Sequence, residues 1–142
     1  GSAALTLAKA LTVYEAFGES DVPDDGQRYF VVSPAGWADL LQIDQFSRAE
    51  YVGEADLPYA GGMTAKRWLG FLWFTHSGLS ISSTTRDCHA YHSSSVGLAT
   101  GSDVRTEMNY VPEKVSNLIT SYFSAGAVMI DNDGAIECQI TE

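Results

Sequence analysis

Cysteine is scarce in this chain: two in 142 residues, which excludes a disulfide-dense secreted scaffold. Long apolar runs are missing as well. None reaches the roughly 18 residues of a membrane-spanning helix, so none is expected. No basic stretch followed by an apolar segment stands at the start, so no signal peptide is expected. Gly1 and Ser2 have the look of a cloning scar and carry no weight. Positive charge is sparse, with 8 Lys plus Arg against 18 Asp plus Glu and a formal net charge of −10. A field of that sign does not coat nucleic acid, although the chain could sit beside it. Internal repeats and low-complexity tracts are absent. What is present is 45% apolar and 18% charged residues, enough for a packed core in one domain-sized unit and unlike a disordered chain.

Local patterns order the chain. Residues 3–17 read as a helix, with Leu7, Leu11, Tyr14 and Phe17 near helical spacing and Gly18 as a stop. Residues 21–26 read as a turn built on Pro23 and Asp25-Gly26. Residues 28–32 read as a strand. Ser33-Pro34 is a helix start, with Ser as cap and Pro at the first helical position. Trp37, Leu40 and Leu41 then share one face of a helix running to Ile43 or Phe46. Residues 47–63 form a long connection, a length usually tied to function. Residues 66–76 read as one buried strand, and residues 77–78 and 80–85 as loop. Residues 88–100 have mixed strand character. Residues 103–111 alternate, with Val104, Thr106, Met108 and Tyr110 on one face of a half-exposed strand. For residues 118–130 a helix after Pro112-Glu113 is open, but a long strand from Asn117 is preferred, with Gly126 marking a bend or bulge. Asn132-Asp-Gly134 is a turn, and residues 135–140 close as a strand, with a hairpin across that turn left open. The fold class is α+β, a mixed sheet flanked by helices.

Few residues suggest chemistry. Cys88, His89 and His92 invite a metal reading, but on a strand only Cys88 and His92 share a face, and a structural zinc site needs four ligands. Cys138 would be a third only if it approached. Cys88 with a histidine could also form a nucleophile pair, but no local signature surrounds it. The acids at 21–25 and at 50–56 do not match a calcium loop, and Gly61-Gly62 is not a phosphate loop. The run Trp68 to Phe74 could line a ligand pocket, though a core strand is the better reading. No catalytic, cofactor-binding or metal residue is assigned, and no cofactor is expected.

Three blocks in order carry a resemblance. The first is Val22-Pro-Asp-Asp-Gly-Gln-Arg-Tyr-Phe-Val-Val-Ser-Pro34, followed by Trp37-Ala-Asp-Leu-Leu41. The second runs from Gly61-Gly62 to Trp68-Leu-Gly-Phe71 and ends near Ser77-Gly-Leu79. The third is Cys88-His-Ala-Tyr-His-Ser-Ser-Ser-Val-Gly-Leu98, Thr106-Glu-Met-Asn-Tyr-Val-Pro-Glu-Lys-Val115 and Phe123-Ser-Ala-Gly-Ala-Val-Met-Ile-Asp131. Over roughly residues 5–140 the chain resembles the major capsid proteins of tailed phages, with the Hong Kong 97-type fold. One departure is that Leu72-Trp73 stands where that family's strand usually carries Pro-Val.

The resemblance implies an axial domain with returning strands of the peripheral domain. It places axial-like residues at about 18–110 within a unit spanning 3–142, and peripheral-like or connecting segments at 3–17 and 111–142. Family members are about twice as long. The chain would then be a C-terminal portion, with the N-terminal arm, the E-loop and most of the spine helix before residue 1, unless the gene is short. The family's crosslinking Lys is not carried onto Lys9, Lys66 or Lys114. The implied function is structural, not enzymatic: self-assembly through pentamers and hexamers into an icosahedral phage head enclosing double-stranded DNA. Partners would be copies of the chain, with scaffolding, portal or decoration proteins as further candidates, and neither sequence-specific nucleic acid nor membrane. Location would be the virion, after assembly in the host cytoplasm. Residues 50–63 and 77–85 are candidate ring contacts. The same fold builds encapsulin-like nanocompartments, which is the alternative assembly. From other classes, a Cys88/His92 enzyme and a small-molecule module around Trp68 and Trp73 stay open.

Overall fold

The computed structural model describes residues 4–48 and 65–142. The chain divides into two compact units, residues 1–95 with 131–142, and residues 96–130.

The first unit begins with helix α1, Leu7–Glu19. It starts four residues later than the Ala-rich composition suggested, because Thr6 is the cap and its side chain accepts from the Lys9 amide. Strand β1, Arg28–Val32, follows as expected, alternating buried and half-buried residues. Helix α2, Pro34–Leu41, is capped by Ser33, whose hydroxyl accepts from the Gly36 amide at 3.1 Å. It does not run on to Phe46. The backbone extends at Ile43 and a separate single turn, α3, Asp44–Ser47, brings Phe46 into the core.

Residues 66–76 are not one strand. They form a hairpin of β2, Ala65–Trp68, and β3, Phe71–Thr75, paired antiparallel. The turn is Leu69-Gly70, with φ of 51° and 75°, the positive-φ pair that suits the twist of two-residue hairpins. Its apolar flanks hid it in the sequence. Residues 80–85 are likewise not all loop, since half of them are strand. The short β4, Ile81–Ser82, pairs with β5, Thr85–His92, around Ser83 (φ 59°).

Strand β3 runs parallel to β1, β5 antiparallel to it on the other side, and β8, Ala135–Thr141, pairs antiparallel with β5. The described strands of this sheet therefore lie in the order β2-β3-β1-β5-β4, with β8 also on β5. The expected hairpin at Asn132-Asp-Gly134 is not formed, since β8 joins a strand more than forty residues back in the chain. Mixed pairing and few helices make this the α+β arrangement expected.

Aromatic rings fill the core. Phe30 stacks on Trp73 at 4.0 Å between centroids, and Phe17 meets Phe71 edge-on at 5.1 Å. All four are fully buried, each side chain contributing roughly 1.5–3 kcal/mol by removal from water. The buried Arg28 is satisfied by main chain. Its guanidinium donates to the carbonyls of Pro23 and Val22 and lies over the Phe17 and Phe71 rings, which fixes the 21–26 turn.

The second unit is a hairpin of β6, Val96–Val111, and β7, Ser116–Met129. The single 3-10 turn Pro112–Lys114, closed by left-handed Val115, replaces the helix left open there. Strand β7 matches the preferred reading. The expected irregularity at Gly126 lies instead on β6: Gly126 pairs in register with Ala99, and the register shifts fall between Thr100 and Arg105. Residues 88–100 are thus divided between β5 and β6, with a 3-10 turn at Ser93–Ser95 separating them.

Candidate assembly interface

The residues singled out for chemistry do not converge. Cys88 and Cys138 are register partners across β5 and β8, both buried as free thiols. Burial pushes the Cys88 thiol up to about 11 and raises that of Cys138, the reverse of an activated nucleophile. His92 lies four residues along the strand, about 13 Å away by strand rise, and is engaged elsewhere. Its Nε2–H donates to Asp25 Oδ1 at 3.0 Å, while Nδ1 accepts from the Ser94 amide at 3.2 Å and lies 2.7 Å from Ser94 Oγ. His89 points to the exposed face. Among the described residues no group of three or more His, Cys, Asp or Glu could hold a metal ion.

Asp25 has a structural task. The hydrogen bond from His92, joined by the Gln27 amide, holds its carboxyl below the usual range. Its contribution is present above the unfolded pKa near 3.8 and is lost as pH falls toward the lowered native value. The other acids of residues 21–25 show no grouping. Those at 50–56, together with Gly61-Gly62 and the 50–63 segment, lie outside the described residues. Residues 77–85 are tied down by Arg86, which donates to the Leu79 carbonyl at 2.9 Å and pairs with Glu142 at 2.9 Å.

The aromatic run packs chiefly against other aromatic rings. Phe71 and Trp73 are core, and Trp68 packs on Phe46 at 5.3 Å and on Trp73 at 5.6 Å. The Trp73 indole N–H donates to the Trp68 carbonyl at 2.9 Å.

The surface that stands out is the hairpin of the second unit, and it was only half visible in the sequence. Two register shifts each add one residue to β6, so the alternation of faces resumes in phase beyond them. One continuous face therefore carries Leu98, Val104 and Met108 from β6 with Ile119, Phe123 and Met129 from β7. Met108 and Ile119 stand directly opposite each other, yet remain 67% and 61% exposed. Every residue of β7 is exposed, and so are residues 103–110 of β6, so the strand expected to be half-exposed there is exposed on both faces. A two-stranded hairpin is marginal alone in water, and contiguous exposed apolar area of this extent marks a site of protein contact. The missed signal was adjacent apolar pairs, Leu118-Ile119 and Tyr122-Phe123, which place apolar side chains on both faces of one strand.

The surface that the described residues offer is thus an exposed, apolar pair of strands, the kind of surface that marks protein contact. The phage capsid protein family matches residues 1–142, and the chain belongs to that family. No curated protein matches it. Among solved structures, the chain is similar to one from Mycobacterium phage Che8, with TM-score 0.76 and 18% identity over 96% of this chain and 50% of that one. It is also similar to a chain in the capsid structure of the cyanophage P-SCSP1u, with TM-score 0.67 and 18% identity over 92% of this chain and 45% of that one. These likenesses show the fold, and the chain spans about half the length of the solved chains it matches.

Proposed function

We propose that the chain is the shell-building part of a phage capsid protein and acts by associating with copies of itself. The observation that carries this is the long apolar hairpin face left uncovered on a capsid fold. Repeated contacts of unlike surfaces close into rings, and pentamers and hexamers joined into an icosahedral head around double-stranded DNA are the assembly this family suggests. The net charge of −10 suits an inner wall that DNA slides past. Scaffolding, portal or decoration proteins are further partners in this reading, with assembly in the host cytoplasm before residence in the virion. The sheet unit, residues 1–95 with 131–142, is the axial-like body, and residues 96–130 are the returning peripheral-like strands. That allocation follows the two compact units and departs from the division read in the sequence, which had 18–110 as axial-like and 3–17 and 111–142 as peripheral-like or connecting.

The test is electron microscopy of the protein expressed from its whole reading frame, beside a Phe123→Asp, Ile119→Asp variant. Closed uniform shells are expected from the first and none from the second. The three tryptophans, Trp37, Trp68 and Trp73, all lie in the other unit, so the variant's tryptophan emission should be unchanged. Shells of normal form from the variant would remove the hairpin from the contact. Shells that fill with a cargo enzyme instead of DNA would favour the nanocompartment.

A further inference from the structure

Strand β8 is an edge. It pairs with β5 on one side, and no described strand lies on the other. The ladder shows which of its backbone groups are already used. The His92 amide donates to the Gly134 carbonyl at 2.9 Å, and the Glu142 amide to the Thr84 carbonyl at 2.9 Å. Both contacts belong to hydrogen-bonded pairs of one antiparallel register, and such pairs alternate along the ladder. Residues 136, 138 and 140 therefore bond inward to β5, and Glu137, Gln139 and Thr141 turn their amides and carbonyls outward. A separate contact agrees: Lys9 Nζ donates to the Gln139 carbonyl at 2.7 Å. No described residue takes up the three outward amides.

Proteins that keep an edge free guard it with charged side chains, Lys above all, with proline, bulges or inward charge, and here Lys9 sits on one outward carbonyl, that of Gln139, which an added strand would share. Strand β8 runs seven residues with no proline and no register shift against β5. Beside it an open groove of about 490 Å³ lies between α1 and β8. Ala8, Thr12 and Ala16, four residues apart on one helix stripe, line it with Ile136. Their small side chains leave room for the alternate side chains of an added strand.

We propose that in the assembled state the outer edge of β8 is completed by an extended strand from a second copy of this chain, seated in the α1–β8 groove. The inference rests on the assembly reading above. Charge chooses the occupant. Between copies of net charge −10 a contact forms most easily where it adds no like charge of its own, and main-chain bonds to an uncharged strand are such a contact. The chain carries such a strand: β7 holds no charged residue in 14, is exposed throughout, and has no described strand on its outer edge. Pairing β7 of one copy with β8 of the next is a heterologous contact that can repeat around a ring.

Hydrogen–deuterium exchange of shells and of dissociated subunits, both from the whole reading frame, tests this. The amides of Glu137, Gln139 and Thr141 should exchange at least about tenfold more slowly in shells, with the already bonded amides of 138 and 140 changing little. Gln139→Pro removes one outward amide without touching the β5 ladder and should abolish shells, whereas Gln139→Ala keeps that amide and should assemble. Unprotected amides in intact shells, or a Gln139→Pro variant that assembles like Gln139→Ala, overturn this inference alone. Protection already present in dissociated subunits overturns it in favour of a segment of the same molecule. Failure of the unmodified protein to form particles overturns it together with the assembly reading.

Discussion

Two thiols facing each other across a ladder invite chemistry, yet Cys88 and Cys138 behave as small apolar core residues. Burial raises both, Cys88 to about 11. A group held protonated in the fold contributes fully below its unfolded pKa, 9.0 for a thiol here, and loses that contribution as pH climbs toward the native value. The expected outcome is a lower urea midpoint at pH 10 than at pH 8, with the difference reduced in a Cys88→Ala variant compared with itself at the two pH values. Iodoacetamide at pH 8 should label both thiols readily in urea and neither in the folded chain. Rapid native labelling of Cys88 would show an accessible thiolate and reopen the nucleophile reading.

At the scale of elements, the turn between β2 and β3 carries the sharpest local constraint. Gly70 holds φ at +75°, and a Cβ there would stand 3.2 Å from Asp24 Oδ1. Gly70→Ala should cost about 1–2 kcal/mol for the left-handed backbone alone, read as a drop in thermal midpoint of roughly 5 °C per kcal/mol. No drop would mean that the turn relaxes to another type. The same turn shows what was legible in the sequence. Strand β1 and the Ser33-Pro34 start of α2 were readable because their signals are local: a β-branched and aromatic run in one case, a cap and a preset dihedral in the other. The β2–β3 turn was not, because Leu69 and flanking tryptophans look like an uninterrupted core strand and only backbone geometry separates them. The pairing of β8 with β5 was beyond reach for a different reason, since strand partnership across forty residues is set by packing and leaves no local mark. The face of Val104, Thr106, Met108 and Tyr110 was legible by alternation, but its lack of a cover was not, because a strand looks the same whether its partner is in the chain or in another molecule.

On the scale of the whole molecule, the two units differ in what holds them together. The sheet unit encloses stacked and edge-on aromatics that are fully buried. The hairpin unit has ladder bonds and cross-strand contacts, such as the Tyr122 hydroxyl donating to Glu107 at 3.1 Å, but no residue of β7 is buried. Ladder bonds offset only part of the chain entropy they fix, and a hydrophobic face must supply the rest. In the unassembled 142-residue chain the hairpin should therefore open at far lower free energy than the sheet. Amides of residues 116–129 should exchange within a few multiples of the unfolded rate, while those of Phe30 and Trp73 exchange only on global unfolding. Tryptophan emission reports the sheet unit alone, whereas far-UV circular dichroism sees both units, so the two urea transitions should not coincide. Coincident transitions with protected β7 amides would show that the hairpin has a cover within the chain itself. The apolar face would then be part of a core, and its claim to be the surface through which capsid copies meet would fall.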